Sequence, residues 1–348
     1  MMTSIVKKEV CFMSNQFIYK SIFAPYFNSF LEMKKTMGFG LPKFQWIFLE
    51  FDKFFVETSA RDPYITREQI TAWNNTRIND QKRTLYDKYS VLRQFCLYLC
   101  HVGKECYIPR MPKRQWPEFI PYIFTHEQME NIFKESDKLI MPNSNMTCTL
   151  FAIPALLRLL YSTGLRISEA LSIKNEDVDF GHQRIILKKT KNQMQRLVPL
   201  NPSLLDVLRQ FKKFRDKMPV KGASTPKGFF FVSTIGKPLH HTSIYNWFRK
   251  ILKECSIPHL GDKHGPRIHD IRHTCAVHSL IKLVGDGVDI YCALPILSVF
   301  LGHKTIKGTE SYVRLTQEMY PEIIKMEQSI TSFIFPNNSK IEIDYDND

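Results

Sequence analysis

The sequence predicts two domains in series: an N-terminal all-α domain of four helices, then a mainly helical α+β domain with a small β-hairpin sheet. Three observations carry this reading. Apolar and aromatic residues recur at helical spacing from about Gln16 to Val102. A segment rich in proline and basic residues, from Cys106 to Pro117, then breaks the pattern. Beyond it helical stripes resume, interrupted by two short apolar runs, Ile185 to Leu187 and Leu197 to Leu200, that flank a polar, lysine-rich loop. A chain of 348 residues is long enough for two such domains.

Residues 1–15 read as a flexible arm, and residues 16–105 as the helical domain. Phe27, Phe30 and Leu31 share one helical face, and Phe44, Ile47, Phe48, Phe51 and Phe55 line a second. Ile70, Trp73 and Ile78 mark a third helix; Leu85, Tyr89, Leu92, Phe95 and Leu99 mark a fourth. Gly38, Gly40 and Pro42 punctuate the first connection, and residues 60–63 the second. Aromatic stripes at this spacing are read as core. Residues 106–118 form a linker stiffened by prolines, whose Arg110, Lys113 and Arg114 can lie along a phosphate backbone.

The second domain spans residues 119–328. Thr125 and Gln128 form a capping box ahead of Met129, Ile132 and Phe133. A helix runs through Leu156 to Leu160, and another starts after Gly164 with Ser168, Glu169 and Leu171. The hairpin follows, Phe229 to Val232 suggests one more short strand, and Ile244, Trp247, Phe248, Ile251 and Leu252 give a strong helical stripe. Residues 329–348 form a tail that ends acidic and is expected to be disordered.

Composition narrows the function. The chain is 44% hydrophobic and 24% charged, as in an ordinary globular protein. Lysine and arginine number 48 against 34 acidic residues, a formal charge of +14 that favours a polyanion over a membrane surface. Charge does not separate DNA from RNA. No apolar stretch approaches the roughly 18 residues of a membrane helix; the run from Phe151 to Tyr161 is short and holds Arg158. Lys7 and Lys8 precede no long apolar run, so no secretory signal is expected. The eight cysteines are scattered, which points to a reduced compartment. Cys96, Cys100, His101 and Cys106 lie near one another, but helical spacing makes buried core thiols a better account than a metal site.

Four patches gather phosphate-active side chains: Thr163-Gly164-Leu165-Arg166-Ile167-Ser168-Glu169; Lys189-Thr190-Lys191-Asn192 leading to Arg196-Leu197-Val198-Pro199-Leu200; His269-Asp270-Ile271-Arg272-His273-Thr274; and Leu301-Gly302-His303, with Tyr312 nine positions after His303. Two arginines can hold the non-bridging oxygens of one phosphate through planar bidentate hydrogen bonds. His269 and Arg272, three apart, share a helix face. A lysine on a hairpin tip can reach a leaving oxygen. A tyrosine hydroxyl, with a reference pKa of about 10, needs something to accept its proton before it attacks. Such a set stabilises a pentacoordinate phosphorane electrostatically, without a metal. Taken singly the pieces are ordinary. Arg166 has Glu169 as a salt-bridge partner, Gly302-His303 is a common helix end, and a C-terminal tyrosine is usually packing.

Their joint order resembles the tyrosine recombinase, or phage integrase, family. The motifs run from Thr163 to Tyr312, and the N-terminal helices resemble that family's core-binding domain. The resemblance implies that Arg166 and Arg272 clamp the scissile phosphate. It implies that Tyr312 attacks to give a 3′-phosphotyrosyl link and a free 5′-hydroxyl, which Lys191 protonates. His269 accepts and returns the tyrosine proton, His303 hydrogen-bonds a phosphate oxygen, and Glu169 holds the first arginine segment. Lys188 and Lys189 also lie near the loop, and counting back from Arg196 favours Lys191. No metal and no cofactor are implied. The implied partner is double-stranded DNA, bound as a homo- or hetero-tetramer, in the cytoplasm with the nucleoid.

Two departures stand out. The stretch from Arg272 to His303 is long, with extra residues expected as a loop around Val284 to Pro295, and Tyr312 is followed by Val313-Arg314. Both features are more similar to transposon-borne integrases than to chromosome-dimer resolving enzymes. After Tyr312, Ile323, Ile324, Met326 and Ile330 could form an apolar helix that packs on its own domain or on a neighbouring protomer. The competing functions are a type IB topoisomerase, a non-catalytic DNA-binding relative and a helical RNA-binding module. The first is disfavoured by the small helical domain, the second by a nucleophile that a binder has no need of.

Overall fold

The computed structural model describes residues 17–58, 62–114, 120–140, 149–188, 195–220, 222–259, 265–303, 305–306, 308–310, 312–313 and 315. The chain divides into two units, residues 1–119 and 120–348.

In the first unit four helices form: α1 (Ala24–Thr36), α2 (Pro42–Glu57), α3 (Arg67–Asn75) and α4 (Lys82–His101). The apolar stripes meet as an aromatic core. Phe27 of α1 stacks on Phe48 of α2 at 4.5 Å between ring centres, and Phe95 of α4 lies 4.7 Å from Phe27 and 5.1 Å from Phe48. Trp73 of α3 packs on Phe51 at 4.5 Å. Each such ring contributes roughly 1.5–3 kcal/mol by leaving water, and offset pairs add to that. Buried Asp52 is satisfied because its carboxylate accepts the Lys20 and Ser21 backbone N–H groups at 2.8 Å each, fixing the backbone ahead of α1. Thr66 and Gln69 form a reciprocal capping box that starts α3. That helix stops at Asn75, so Ile78 falls in the following turn and is 88% exposed; it is not the core position its spacing suggested. Cys96 is a buried core thiol, whereas Cys100 is exposed, so burial accounts for only the first of them.

The second unit is built on α6 (Ile153–Thr163) and α10 (Asp270–Gly285), which are buried nearly all round. Such helices lie at the centre of a domain. Around them sit α5 (His126–Asp137), started by the anticipated Thr125–Gln128 capping box, α8 (Pro202–Asp216), α9 (His241–Glu254) and α11 (Ile290–Leu301). A short helix α7 (Ile167–Ser172) follows α6 after Gly164, whose left-handed φ of +59° ends α6. The small sheet is antiparallel in the order β1 (Val178–Asp179), β2 (Arg184–Leu187), β3 (Arg196–Pro199). Ile185 pairs with Val198, and Leu187 with Arg196. The strand β1 is too short to carry a period of its own.

Two expectations are corrected. Phe229 to Val232 is no strand: it makes only isolated bridges, Lys174 to Phe229 and Val232 to Pro238, because no neighbour runs beside it long enough for a ladder. Its backbone is held instead by fully buried Arg215, which donates to the Phe230 carbonyl at 2.7 Å. The stretch Val284 to Pro295 is not a loop. Helix α10 runs to Gly285, and α11 starts at Ile290 with Asp289 accepting from the Tyr291 and Cys292 N–H groups. Among the described residues no helix is long and apolar enough to cross a membrane.

The aromatic cluster sets a stability test. Phe48→Ala removes the ring that touches both Phe27 and Phe95 and should cost about 3–5 kcal/mol in urea unfolding. Phe48→Leu should cost much less, and equal costs would show that the ring is not the centre of that core.

Candidate active site

Two helix ends meet at the head of α10. Gly164 closes α6 and Gly302 closes α11, both left-handed. A Cβ at Gly164 would stand 2.8 Å from a Leu301 methyl, so glycine is what lets the two ends approach. Between them lies Arg272, 2% exposed, with Nη1 donating to the Gly164 carbonyl at 2.6 Å and Nη2 to the Leu301 carbonyl at 2.8 Å. Both acceptors sit at helix C-termini, where the backbone dipoles favour a cation. Burial first, and then the neighbouring Arg166, push the Arg272 pKa down to about 10, so it stays charged at neutral pH.

The first arginine segment is braced by one carboxylate. Glu169, 2% exposed, accepts from the Arg166 backbone N–H at 3.0 Å and from its guanidinium at 2.8 Å. The same carboxylate accepts from Arg196 of β3 at 3.1 Å. Burial pushes the Glu169 carboxyl up, but the Arg166 N–H and both guanidiniums outweigh it, and its pKa falls below the ordinary value. Arg196 also lies against Gly302, where any Cβ would collide with its guanidinium. Glu169 therefore links the α7 cap, the hairpin and, through Arg196, the end of α11.

The string from His269 to Thr274 divides its work by position. His269 caps α10. Buried Asp270 accepts from the Arg267 N–H at 2.8 Å and its guanidinium at 2.9 Å. Thr274 accepts the Phe124 N–H at 3.0 Å and donates to the Asp270 carbonyl. His273 Nδ1 lies 3.0 Å from the Tyr312 hydroxyl. The His269 and His273 rings meet edge to face at 5.0 Å.

Tyr312 is 3% exposed and lies in a helical turn packed with Leu315 against α10 and α11 residues. Burial raises its pKa, and the positive charges of Arg272 and Arg166 act against that rise. His303 lies parallel to the Tyr312 ring, centres 6.2 Å apart, with Nδ1 2.8 Å from the Thr309 hydroxyl. All three histidines are held neutral at pH 7, by burial first and then by nearby positive charge. The pKa of His269 and of His303 is pushed down to about 4, and that of His273 to about 3.

Of the six residues singled out in the sequence, Arg166, His269, Arg272, His303 and Tyr312 converge here, and Lys191 lies outside the described residues. Arg196, His273 and Thr309 were not singled out. The signal for His273 was its spacing of four from His269, which places two imidazoles on one helix face. Among the described residues no cluster of three or more His, Cys, Asp or Glu side chains could hold a metal ion.

Residues 123–319, more than half of the 348, match the phage integrase family. The chain belongs to that family, the tyrosine recombinases. Across 313 residues it is 29% identical to the y4rB protein of Sinorhizobium fredii, which carries an integrase/recombinase name; the match covers 88% of this chain and 96% of that one. It is also 29% identical over 249 residues to the tyrosine recombinase XerC of Chlamydia caviae, covering 69% and 70% of the two chains. The fold matches that of the XerH site-specific recombinase bound to a palindromic difH substrate, with a TM-score of 0.59, 18% identity and coverage of 85% and 80%. It also matches the Tn1549 transposon integrase in complex with a circular intermediate DNA, with a TM-score of 0.56, 15% identity and coverage of 82% and 94%.

Removing the brace tests the site's electrostatics. Glu169→Gln leaves two guanidiniums facing each other without a counter-charge and should cost up to roughly 3–5 kcal/mol in chemical denaturation at pH 7. The depressed carboxyl pKa fixes the sign. The stabilisation is present above the ordinary carboxylate range and is lost as pH falls through the lower, folded-state value. The wild-type advantage over Glu169→Gln should therefore shrink in acid; an advantage that grows in acid would contradict the assignment.

Proposed function

We propose that this recombinase cuts and rejoins double-stranded DNA at specific sites through a 3′-phosphotyrosyl intermediate on Tyr312. The observation that carries the proposal is the gathering of Arg272, Arg166 and Tyr312: Arg272 is buried between the Gly164 and Leu301 carbonyls, Arg166 follows Gly164 by two residues, and the Tyr312 hydroxyl lies 3.0 Å from His273, the residue after Arg272. A phosphodiester is the anion that such a site fits.

In this mechanism Arg166 and Arg272 hold the two non-bridging oxygens, and the charge that grows on them meets guanidiniums already fixed in place. His303 adds a hydrogen bond to a phosphate oxygen. The Tyr312 oxygen attacks phosphorus and the 5′-oxygen leaves, protonated by Lys191 of the hairpin loop. His269 helps to move the tyrosine proton and to return it on rejoining. The phosphotyrosyl bond conserves the phosphodiester energy, so the chemistry needs neither a nucleotide cofactor nor a metal. Attack by a different 5′-hydroxyl gives exchange, and attack by the original one restores the duplex.

Residues 16–105 serve in this reading as the core-binding DNA domain, residues 106–118 as a basic linker along the phosphates, and residues 119–328 as the catalytic domain. The formal +14 charge supports a DNA partner. Assembly as a homo- or hetero-tetramer on DNA is proposed by analogy with a λ integrase tetramer bound to a Holliday junction. Work on a mobile element is suggested by the Tn1549 integrase, and a cytoplasmic, nucleoid-associated location follows from the DNA substrate. Recombinase names among the relatives favour strand exchange over simple relaxation of supercoils.

Covalent trapping tests the proposal. A nicked or 5′-phosphorothiolate duplex of the cognate site should accumulate a protein–DNA adduct with the wild type, in EDTA as well as in Mg²⁺. Tyr312→Phe should bind the duplex and form no adduct. An adduct that persists in Tyr312→Phe, or cleavage that EDTA abolishes and Mg²⁺ restores, would overturn the mechanism.

A further inference from the structure

We infer that His273 is the immediate acceptor of the Tyr312 proton and that the bound phosphodiester itself makes it able to act. This rests on the recombinase reading above and names a residue to which that reading gives no role. The hydroxyl of Tyr312 has one ring nitrogen beside it, Nδ1 of His273 at 3.0 Å, within the distance a general base needs. The Arg272 guanidinium is held by the carbonyls of Gly164 and Leu301, and its positive charge favours the ionised phenol, which eases loss of the proton towards His273. The His273 ring is also fixed from behind by its edge-to-face contact with His269.

In the free protein this pair is at rest. His273 is faced by Arg267, His269 and Arg272 from the head of α10, by His303 beyond α11 and by Tyr312 itself. The positive members of that set, with burial, keep the imidazole neutral, while burial keeps the phenol protonated. A phosphodiester seated between Arg166 and Arg272 brings a negative charge into the same low-dielectric space. Opposite charge within a few ångströms favours a protonated imidazole, so the substrate raises the basicity of the group that must deprotonate its attacker.

The step then balances. The Tyr312 oxygen forms its bond to phosphorus, its proton moves to His273 Nδ1, and the bond from phosphorus to the 5′-oxygen breaks with a second proton supplied to that oxygen. On rejoining, the 5′-hydroxyl attacks phosphorus and gives its proton back to the group that had supplied it, the bond from phosphorus to the Tyr312 oxygen breaks, and imidazolium at His273 returns its proton to the departing phenol. His269, next along the same helix face, can take the proton onward while the covalent link persists. A tyrosine armed only by substrate does not attack water-borne phosphate esters at random, and the cleavage chemistry is confined to a docked site.

Two variants test this on the full chain, with a nicked duplex of the cognate site and adduct formation as the readout. His273→Asn keeps a hydrogen-bond acceptor near the Nδ1 position but cannot take up a proton. His273→Ala leaves a space that imidazole can enter. Both should bind the duplex within about threefold of wild type and form adduct roughly 10²–10⁴-fold more slowly, the range lost with a general base. The His273→Asn rate should climb about tenfold per pH unit between pH 7 and 9, as hydroxide replaces the missing base, and added imidazole should restore His273→Ala. An adduct rate for His273→Asn within threefold of wild type would overturn the inference. So would a slow variant whose pH profile parallels the wild type, together with an alanine variant that imidazole leaves unrestored. A wild type that forms no adduct at all would instead sink the recombinase chemistry, so the two failures are separable.

Discussion

The second unit is organised around one of its buried arginines. Arg272 is almost wholly removed from water, yet it spends two of its donors on the protein's own backbone, the carbonyls of Gly164 and Leu301. Those carbonyls belong to the C-terminal ends of α6 and α11, where unpaired carbonyls and aligned peptide dipoles make a site for positive charge. The desolvation that lowers the Arg272 pKa is offset in this way without a dedicated carboxylate. A carboxylate there would have competed with an incoming phosphate. Backbone carbonyls hold the guanidinium in place and leave the net positive charge intact for a substrate.

The remaining features follow from fixing that one group. The two helix ends can approach only because both close on glycine, and at Gly302 the space a side chain would need is filled by Arg196. Arg196 and Arg166 share Glu169, which places the first arginine segment and the hairpin in one network. The carboxylate charge is consumed there by two guanidiniums, so the surroundings of Arg272 stay cationic. Burial first, and then that field, keep His269, His273 and His303 neutral and available as proton carriers or hydrogen-bonding groups. Tyr312, its pKa raised by burial, stays a protonated phenol with no charge of its own to pair with the arginines.

Much of this was legible in the sequence, for physical reasons that differ by element. The N-terminal helices announce themselves because bulky rings at helical spacing have one way to leave water together. The hairpin is visible because two short apolar runs flank a polar, lysine-rich loop; the structure adds which side chains turn inward, Ile185, Leu187 and Val198, while Leu197 faces outward. The convergence of Arg166, His269, Arg272, His303 and Tyr312 followed from the order of the motifs. The misses come from interactions that spacing does not encode. Ile78 was assigned to a helix that its chain leaves three residues earlier, at Asn75. The run at Phe229 to Val232 is apolar because it is buried, while its hydrogen bonds go to Arg215 and to isolated bridges rather than to a strand. The segment from Val284 to Pro295 looked like an insertion but continues two helices about a short turn. Arg196 and His273 stood inside recognised strings, yet their partners, Glu169 with Gly302 and Tyr312, lie at sequence distances that no local pattern reports.

The central claim is that Tyr312 becomes covalently joined to DNA in the field of Arg272 and Arg166. Its most direct measurement is mass spectrometry of the trapped adduct after nuclease and trypsin digestion. Trypsin should release residues 308–314, a peptide that holds Thr309, Ser311 and Tyr312 as rival hydroxyls. Fragmentation that places the nucleotide on Tyr312 is the predicted result. A nucleotide on Thr309, on Ser311 or on any residue outside that peptide would contradict the account.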